Sequence, residues 1–342
     1  ASIRNFGMIW PMGQPMEHLE AAMLSRSLWL KLASESNIWI RPCGSLHLAH
    51  RQDEWEVLQE YYELHRNSIL GTHLKLLGRE ESLTHSPSIN PDHFIGSLKS
   101  DLEMCVNPTS TIRAMPDWLK QQYGVEFCFD TTVVDAVTGN LKTSGGGTHF
   151  FDRIIVCSGH DFETLFPDQF HKAPLRKCKL QMMRTCPQPA QFQLGCHIAS
   201  GLTLRHYASF RCCSSLSVLA ARIQEETPEL DRYGIHVMAS QDDLGRVILG
   251  DSHEYENAIE PFDSTLIDEL ILRELQKILQ LPSWHVESRW HGIYAKSIEN
   301  IACCMEPHSR VTVCIGLGGA GMTLSFGLAE QMWRRWENIE QT

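Results

Sequence analysis

The 342-residue sequence has no N-x-S/T sequon, no cysteines in CxxC spacing, no GxSxG nucleophile elbow and no excess of positive charge. Lysine and arginine total 30 against 41 aspartates and glutamates, a formal net charge of −11 that argues against a phosphate-backbone partner. No nucleic acid is expected. The 12 cysteines lack the repeated spacings of a disulfide or zinc framework, although Cys212-Cys213 and Cys303-Cys304 are adjacent. Reduced thiols, a cytoplasmic setting and no metal site are therefore the expectation. The opening residues 1–7 form no apolar signal segment. The uncharged run from Val311 to Ala329 is cut by glycines into a strand-loop-helix rhythm, unlike a membrane helix, so no membrane partner is expected.

A hydrophobic content of 43% can bury a substantial core, and the length suggests about two domains. Helices are read from apolar spacing over 15–36, 53–66 (burying Trp55, Leu58, Tyr62 and Leu64), 215–224 and 261–281. A short helix ending at Gly124 is read after Asn107. Residues 38–48 read as a hairpin turning at Pro42-Cys-Gly44. Short β-rich pieces are read at 125–129, 132–134, 153–157 and 286–295, with a turn at Gly145-Gly-Gly147. Helix and strand interleave without a composition break, which predicts two domains woven together by crossing segments.

Gly316, Gly318 and Gly321 fall in GxGxxG spacing between the apolar run 311–315 and a helical pattern from about Met322 to Trp336. Glycines after a strand allow tight turning and close approach of a ligand, and a helix start offers unpaired amides. A full dinucleotide fingerprint needs a second strand and an acidic residue ~20 residues on. The 21 residues after Gly321 read as one helix and a polar tail, so this turn is expected to be the closing piece of a cofactor site whose phosphate-binding part lies elsewhere.

The ending Ile315-Gly-Leu-Gly-Gly-Ala-Gly-Met-Thr323 resembles the closing motif of the D-amino-acid oxidase/glycine oxidase-like superfamily of FAD-dependent oxidoreductases. The opening residues 1–7 resemble the segment after that family's first βαβ unit, and Arg153–Gly159 its later cofactor-side strand and turn. Segments 179–185, 201–207, 250–255 and 289–295 resemble a subgroup associated with phosphonate catabolism on aminoethylphosphonate-type amines. The resemblance implies a mixed α/β fold: an FAD-binding Rossmann-like domain (1–40, 105–170 and 296–342) interleaved with a β-sheet-based substrate domain (41–104 and 171–295). The family's own GxGxxG unit is not among these residues. They are expected to be a fragment, with loss of the ADP-binding part as the alternative.

The resemblance further implies FAD-dependent oxidation of the C–N bond of a small primary or secondary amine, an aminophosphonate by the subgroup likeness. Hydride would pass to flavin N5, the imine would hydrolyse to an aldehyde, and oxygen or another acceptor would take the electrons. Gly318, Gly319, Gly321, Met322 and Thr323 would face the flavin ring. Ser2, Arg4 and Asn5 would lie near the diphosphate or ribityl chain, Val133 and Val134 near adenine, and Ser158 and Gly159 against the cofactor. Substrate-binding candidates are Arg205, His206, Tyr207, His253 and Tyr294, with His253 and Tyr294 also the catalytic candidates and Lys179 and Arg184 as further anion binders. Amino-acid oxidases of this superfamily commonly carry Gly-Leu-Arg where this chain has Gly292-Ile-Tyr294, and tyrosine cannot fork onto a carboxylate.

Simpler readings stand beside these. Arg205 and His206 adjoin in a stretch read as a strand, whose alternation would send them to opposite faces. A single histidine is more often structural. Asp251-Ser-His253 suggests a hydrolase but lacks an elbow. The rival functions are an NAD(P)-dependent dehydrogenase using the terminal glycines, and a non-catalytic remnant of the same fold.

Overall fold

In the computed structural model, which describes residues 2–256 and 258–340, a long antiparallel strand pair organises the molecule. Strand Leu175–Thr185 pairs along its whole length with Val286–Ser297. Its other edge is shared by Glu254–Glu256 and Val247–Gly250. From there one sheet continues through Met238–Gln241, His197–Ala199, Ser45–Ala49 and Gly96–Ser100 to Leu74–Gly78. All its pairs are antiparallel except His197–Ala199 with Ser45–Ala49. Helices Gln52–His65, Leu216–Glu226 and Thr265–Ile278 cover this sheet, and the main core lies between, with Leu46, Leu58, Tyr61, Phe210 and Ile271 fully enclosed.

Strand Val311–Ile315 pairs in parallel with Ile154–Val156 and antiparallel with Cys303–His308. It leads through the turn at Gly316 and Gly318 into helix Gly321–Glu340, which packs on helix Leu19–Glu35. The contact is built from small residues. A Cβ on Gly327 would lie 2.0 Å from the Ala21 carbonyl oxygen, and the Gly327 amide donates to Ser25 Oγ at 2.7 Å. No helix among the described residues is long and apolar enough to cross a membrane.

Four sequence expectations are corrected. Residues 38–48 are no hairpin: Ile40–Pro42 joins Met104–Val106, while Ser45–Ala49 enters the large sheet. The Cys43 and Gly44 amides both donate to the Glu103 carbonyl, and Gly44 takes φ +67°, turning the chain from one sheet to the other. Residues 125–129 form no strand and are exposed, because no neighbouring strand is there to pair with them. In the helix 52–65 Glu54, Val57, Leu58 and Tyr61 are buried and Trp55 and Tyr62 pack half-buried against the core, whereas Leu64, read as buried, is 54% exposed. Arg205 and His206 belong to helix Leu202–His206, not to a strand.

One core residue carries a pH prediction. His47 is fully buried among Trp10 and Phe210, both ring nitrogens lack partners, and burial pushes its pKa down to about 3. The unfolded chain binds a proton at about pH 6.5 and the folded chain does not, so this group removes stability as pH falls below 6.5. Between pH 7 and pH 5 the loss is about 2 kcal/mol. His47→Leu is expected to retain that increment, read as a smaller change in urea midpoint between the two pH values than in the parent; equal changes would refute it.

Candidate active site

Cross-strand register builds the first wall of a buried aromatic patch. Cys178 stands opposite Tyr294 on one side and opposite Tyr255 on the other. Opposed residues share a sheet face, so the three side chains stand side by side. Lys296, two residues beyond Tyr294, follows on the same face.

The second wall comes from three loops. Helix Leu202–His206 ends in His206, with Tyr207 directly after it. His236 precedes strand Met238–Gln241, and Asp251 and His253 follow strand Val247–Gly250. His236 and Asp251 exchange backbone hydrogen bonds of 3.3 and 3.1 Å, and the His253 amide donates to the Tyr233 carbonyl at 2.9 Å. His206 stacks on His236 at 3.7 Å between ring centroids and lies 4.4 Å from His253. His253 is 6.2 Å from the Tyr294 ring, and Tyr207 stacks on Trp10 at 6.2 Å.

Burial sets the charge state. Desolvation lowers the pKa of His206 and His236 well below the usual value and that of His253 to about 3, with neighbouring cationic groups adding to it. The same burial raises Asp251 well above the carboxylate range, and raises Tyr294. Near neutral pH the patch therefore presents uncharged imidazoles beside a carboxyl that resists ionisation. His253 Nδ1 is buried without a hydrogen-bond partner, so the patch keeps a polar atom that a small ligand could satisfy, while Asp251 Oδ1 lies 3.4 Å from His236 Nε2. Lys296 lies nearby at the exposed rim, and desolvation lowers its pKa.

Gly234 makes this packing possible. It has φ +54°, and a Cβ there would come within 2.6 Å of the His253 carbonyl oxygen. Gly234→Ala is expected to cost about 2 kcal/mol of stability and to displace His253. Differential scanning fluorimetry with substrate turnover checks this; parental stability and turnover would contradict it.

Of the substrate candidates, His206, Tyr207, His253 and Tyr294 come together. Arg205 is instead committed to Asp231 and to the Ile235 carbonyl. Lys179 pairs with Asp263 and binds the Glu260 and Phe262 carbonyls, and Arg184 pairs with Glu287. His236, Lys296, Tyr255, Cys178 and Trp10 were not singled out from sequence. The alternation Gly292, Tyr294, Lys296 could have suggested Lys296; nothing local marks His236.

The nitrogens of His206, His236 and His253 lie within 4.8 Å of one another, a spacing that a metal ion could bridge. A metal must lie in the plane of each imidazole it binds. The His206 and His236 planes are only 10° apart and face to face, so one ring would have to turn before both could hold a single ion. A surface cleft of about 570 Å³ beside Phe192 and Leu281 shares no residue with the patch.

The glycine turn adjoins it. A Cβ on Gly319 would meet only the Tyr294 hydroxyl, at 4.0 Å, and one on Gly321 or Gly159 would meet nothing within 4 Å. Open backbone beside an aromatic pocket, ahead of a helix start, fits a flat nucleotide cofactor brought close to the main chain. The Thr323 hydroxyl accepts from the Trp10 amide at 2.8 Å, and the Met322 carbonyl accepts from Trp29 Nε1 at 2.9 Å, tying the turn to the pocket. Near the chain start, Asn5 Oδ1 accepts from the Gly7 amide, Asn5 Nδ2 donates to the Ser2 carbonyl, and Arg4 reaches the His291 carbonyl. Ser158 Oγ donates to the Asp161 carbonyl, and Val134 is 46% exposed.

This fold, with a glycine turn opening beside a buried aromatic patch, is that of a flavin-dependent oxidoreductase. The chain belongs to the DAO family of FAD dependent oxidoreductases, which matches residues 1–335. It is similar in structure to glycine oxidase from Geobacillus kaustophilus, with TM-score 0.74 and 17% identity over 96% of this chain and 82% of that one. Iminodiacetate oxidase from Chelativorans sp. BNC1 superposes with TM-score 0.69 at 14% identity, again over 96% and 82%. Dithionite-reduced L-alpha-glycerophosphate oxidase from Mycoplasma pneumoniae, with FAD bound, superposes with TM-score 0.68 at 15% identity over 95% and 82%. A search of curated proteins found no match.

Proposed function

We propose that this chain oxidises the C–N bond of a small primary or secondary amine, and that its substrate carries a phosphonate rather than a carboxylate. The observation that carries the reading is the pocket beside Gly319. It holds Tyr294 and neutral imidazoles, while Arg205, Arg184 and Lys179 are each held in an ion pair. A carboxylate substrate is best held by a forked arginine. Lys296 at the rim is a cation this pocket offers to an anionic group, with Arg211 near it, and it can serve as a point charge without bidentate geometry.

FAD, when bound, supplies the two-electron acceptor for the hydride of the substrate's α-carbon. On this reading Gly318, Gly319, Gly321, Met322 and Thr323 would hold its ring, Ser2, Arg4 and Asn5 its chain, Ser158 and Gly159 would pack against it, and Val133 and Val134 would take the adenine. Residues 1–40, 105–170 and 296–342 then form the cofactor-binding part, and 41–104 with 171–295 the substrate part. The protein's own work is selection and orientation. His253 Nδ1, buried and without a partner, accepts a hydrogen bond from the amine N–H. Imidazoles held uncharged give a cationic ammonium no counter-charge, so the pocket favours the neutral amine that can release hydride. The Tyr294 ring, enclosed with its phenol protonated, walls the reacting carbon from water.

The test is anaerobic bleaching of the bound flavin by aminophosphonates, glycine, sarcosine and D-amino acids in parallel. Reduction by aminophosphonates and not by the carboxylates is expected. Reduction by carboxylate amines alone would overturn the substrate class, and a protein that binds no FAD would overturn the reading as a whole.

A further inference from the structure

The strand that delivers the glycine turn carries a thiol pair outside the amine pocket. Cys304 and Cys314 are directly opposed on strands Cys303–His308 and Val311–Ile315, and their sulfurs lie 3.5 Å apart. Cys304 is exposed and Cys314 half-buried, so small oxidants can reach the pair. Opposed antiparallel residues have Cβ atoms ~5 Å apart, and a disulfide needs ~4 Å, so about 1 Å of strand approach closes the bond. Strand alternation sends Cys303 to the opposite face and leaves it out of reach.

We infer that Cys304 and Cys314 form a peroxide-sensitive disulfide, with Cys304 as the attacking sulfur and Cys314 as the resolving one. The Cys304 thiolate attacks a hydroperoxide: an S–O bond forms, the O–O bond breaks, and the departing oxygen takes a proton to leave as water or an alcohol. The Cys304 sulfur is thereby oxidised by two electrons to a sulfenic acid while the peroxide is reduced. Cys314 then attacks that sulfur, the S–S bond forms, the S–O bond breaks, and the hydroxide carries away the Cys314 proton as water. The net change is two thiols and one hydroperoxide to one disulfide, one alcohol or water, and one water.

The order of roles follows from the surroundings. Cys304 is the exposed member of the pair and meets the oxidant first, and its contact with Cys314 and the charge of Arg335 lower its pKa, whereas Cys314 is half-buried. Cys157 also faces Cys314 across the parallel pair Val156–Val313, and is the competing partner to be excluded. Closure would draw strand 303–308 onto strand 311–315 two residues before Gly316, so its mechanical effect falls on the glycine turn.

The sequence offers a clean test. Arg310 separates the two cysteines, so trypsin leaves peptides 297–310 and 311–334 joined only by the bond in question. FAD-bound protein, reduced, desalted and treated with hydrogen peroxide, is expected to lose two of its 12 free thiols and to show these peptides linked in a non-reducing digest. The link should vanish in Cys304→Ser and Cys314→Ser and persist in Cys303→Ser and Cys157→Ser. In Cys314→Ser, dimedone should trap the sulfenic acid on Cys304. Cys304 and Cys314 both remaining alkylatable in peroxide-treated wild-type protein would overturn the inference without any variant. So would a link that survives Cys304→Ser, or one that joins Cys157 instead.

Discussion

Replacing Gly327 by alanine is expected to destabilise the protein by about 3 kcal/mol and to weaken FAD binding at least about tenfold. Helix propensity alone gives the opposite sign, since alanine exceeds glycine by about 1 kcal/mol in a helix interior. Space reverses it. The new Cβ would stand 2.0 Å from the Ala21 carbonyl oxygen and 2.8 Å from its carbon, both backbone atoms that no rotamer change can move. Helix Gly321–Glu340 must then withdraw from helix Leu19–Glu35, breaking the Gly327–Ser25 hydrogen bond and dragging Met322 and Thr323 from Trp29 and Trp10. Urea midpoints and fluorescence of released FAD read the two effects. A midpoint equal to or above the parent's would show that the helices separate at no cost, and would sink the prediction.

His253→Phe is expected to lower kcat/KM about a hundredfold while leaving the fold intact. The ring keeps its contact with His206, 4.4 Å away, while both ring nitrogens are lost: the acceptor Nδ1, and Nε2 that lies 3.9 Å from Asp251 Oδ2. Because burial holds His253 near 3, the imidazole stays neutral from pH 5 to 8. The parent's kcat/KM should therefore rise about tenfold per pH unit with the neutral fraction of the amine, without a break at 6.5. A break there would show that an ordinary histidine governs the rate, and activity of the variant within twofold of the parent would remove His253 from the proposed role. Unlike a merely structural change, the loss should appear with the thermal midpoint preserved.

The terminal strand-turn-helix was legible because it is local. A strand, three glycines at fixed spacing and a helix start follow one another within residues 311–323, and backbone conformation there depends on glycine itself, with φ +85° at Gly316 and +61° at Gly318. Much of the pocket was partly legible. Tyr294 stood out by replacing an expected arginine, and His206, Tyr207 and His253 came from segments similar to the family. The cations were misleading for a physical reason: an arginine in a sequence does not show its counter-ion. Asp231 lies 26 positions from Arg205, and Asp263 lies 84 from Lys179, so only folding reveals that these charges are already neutralised.

By itself the sequence determined the mixed α/β character and the terminal strand-turn-helix, since both rest on neighbouring residues and on backbone freedom, and the family resemblance of its segments pointed to FAD. Tertiary structure alone decided which groups share the pocket and in what charge state. His206, His236, His253 and Asp251 come from three separate segments, and their pKa values are set by the burial those segments create together. The same holds for Gly327 and for the Cys304–Cys314 pair, where a distance between two elements fixes the consequence.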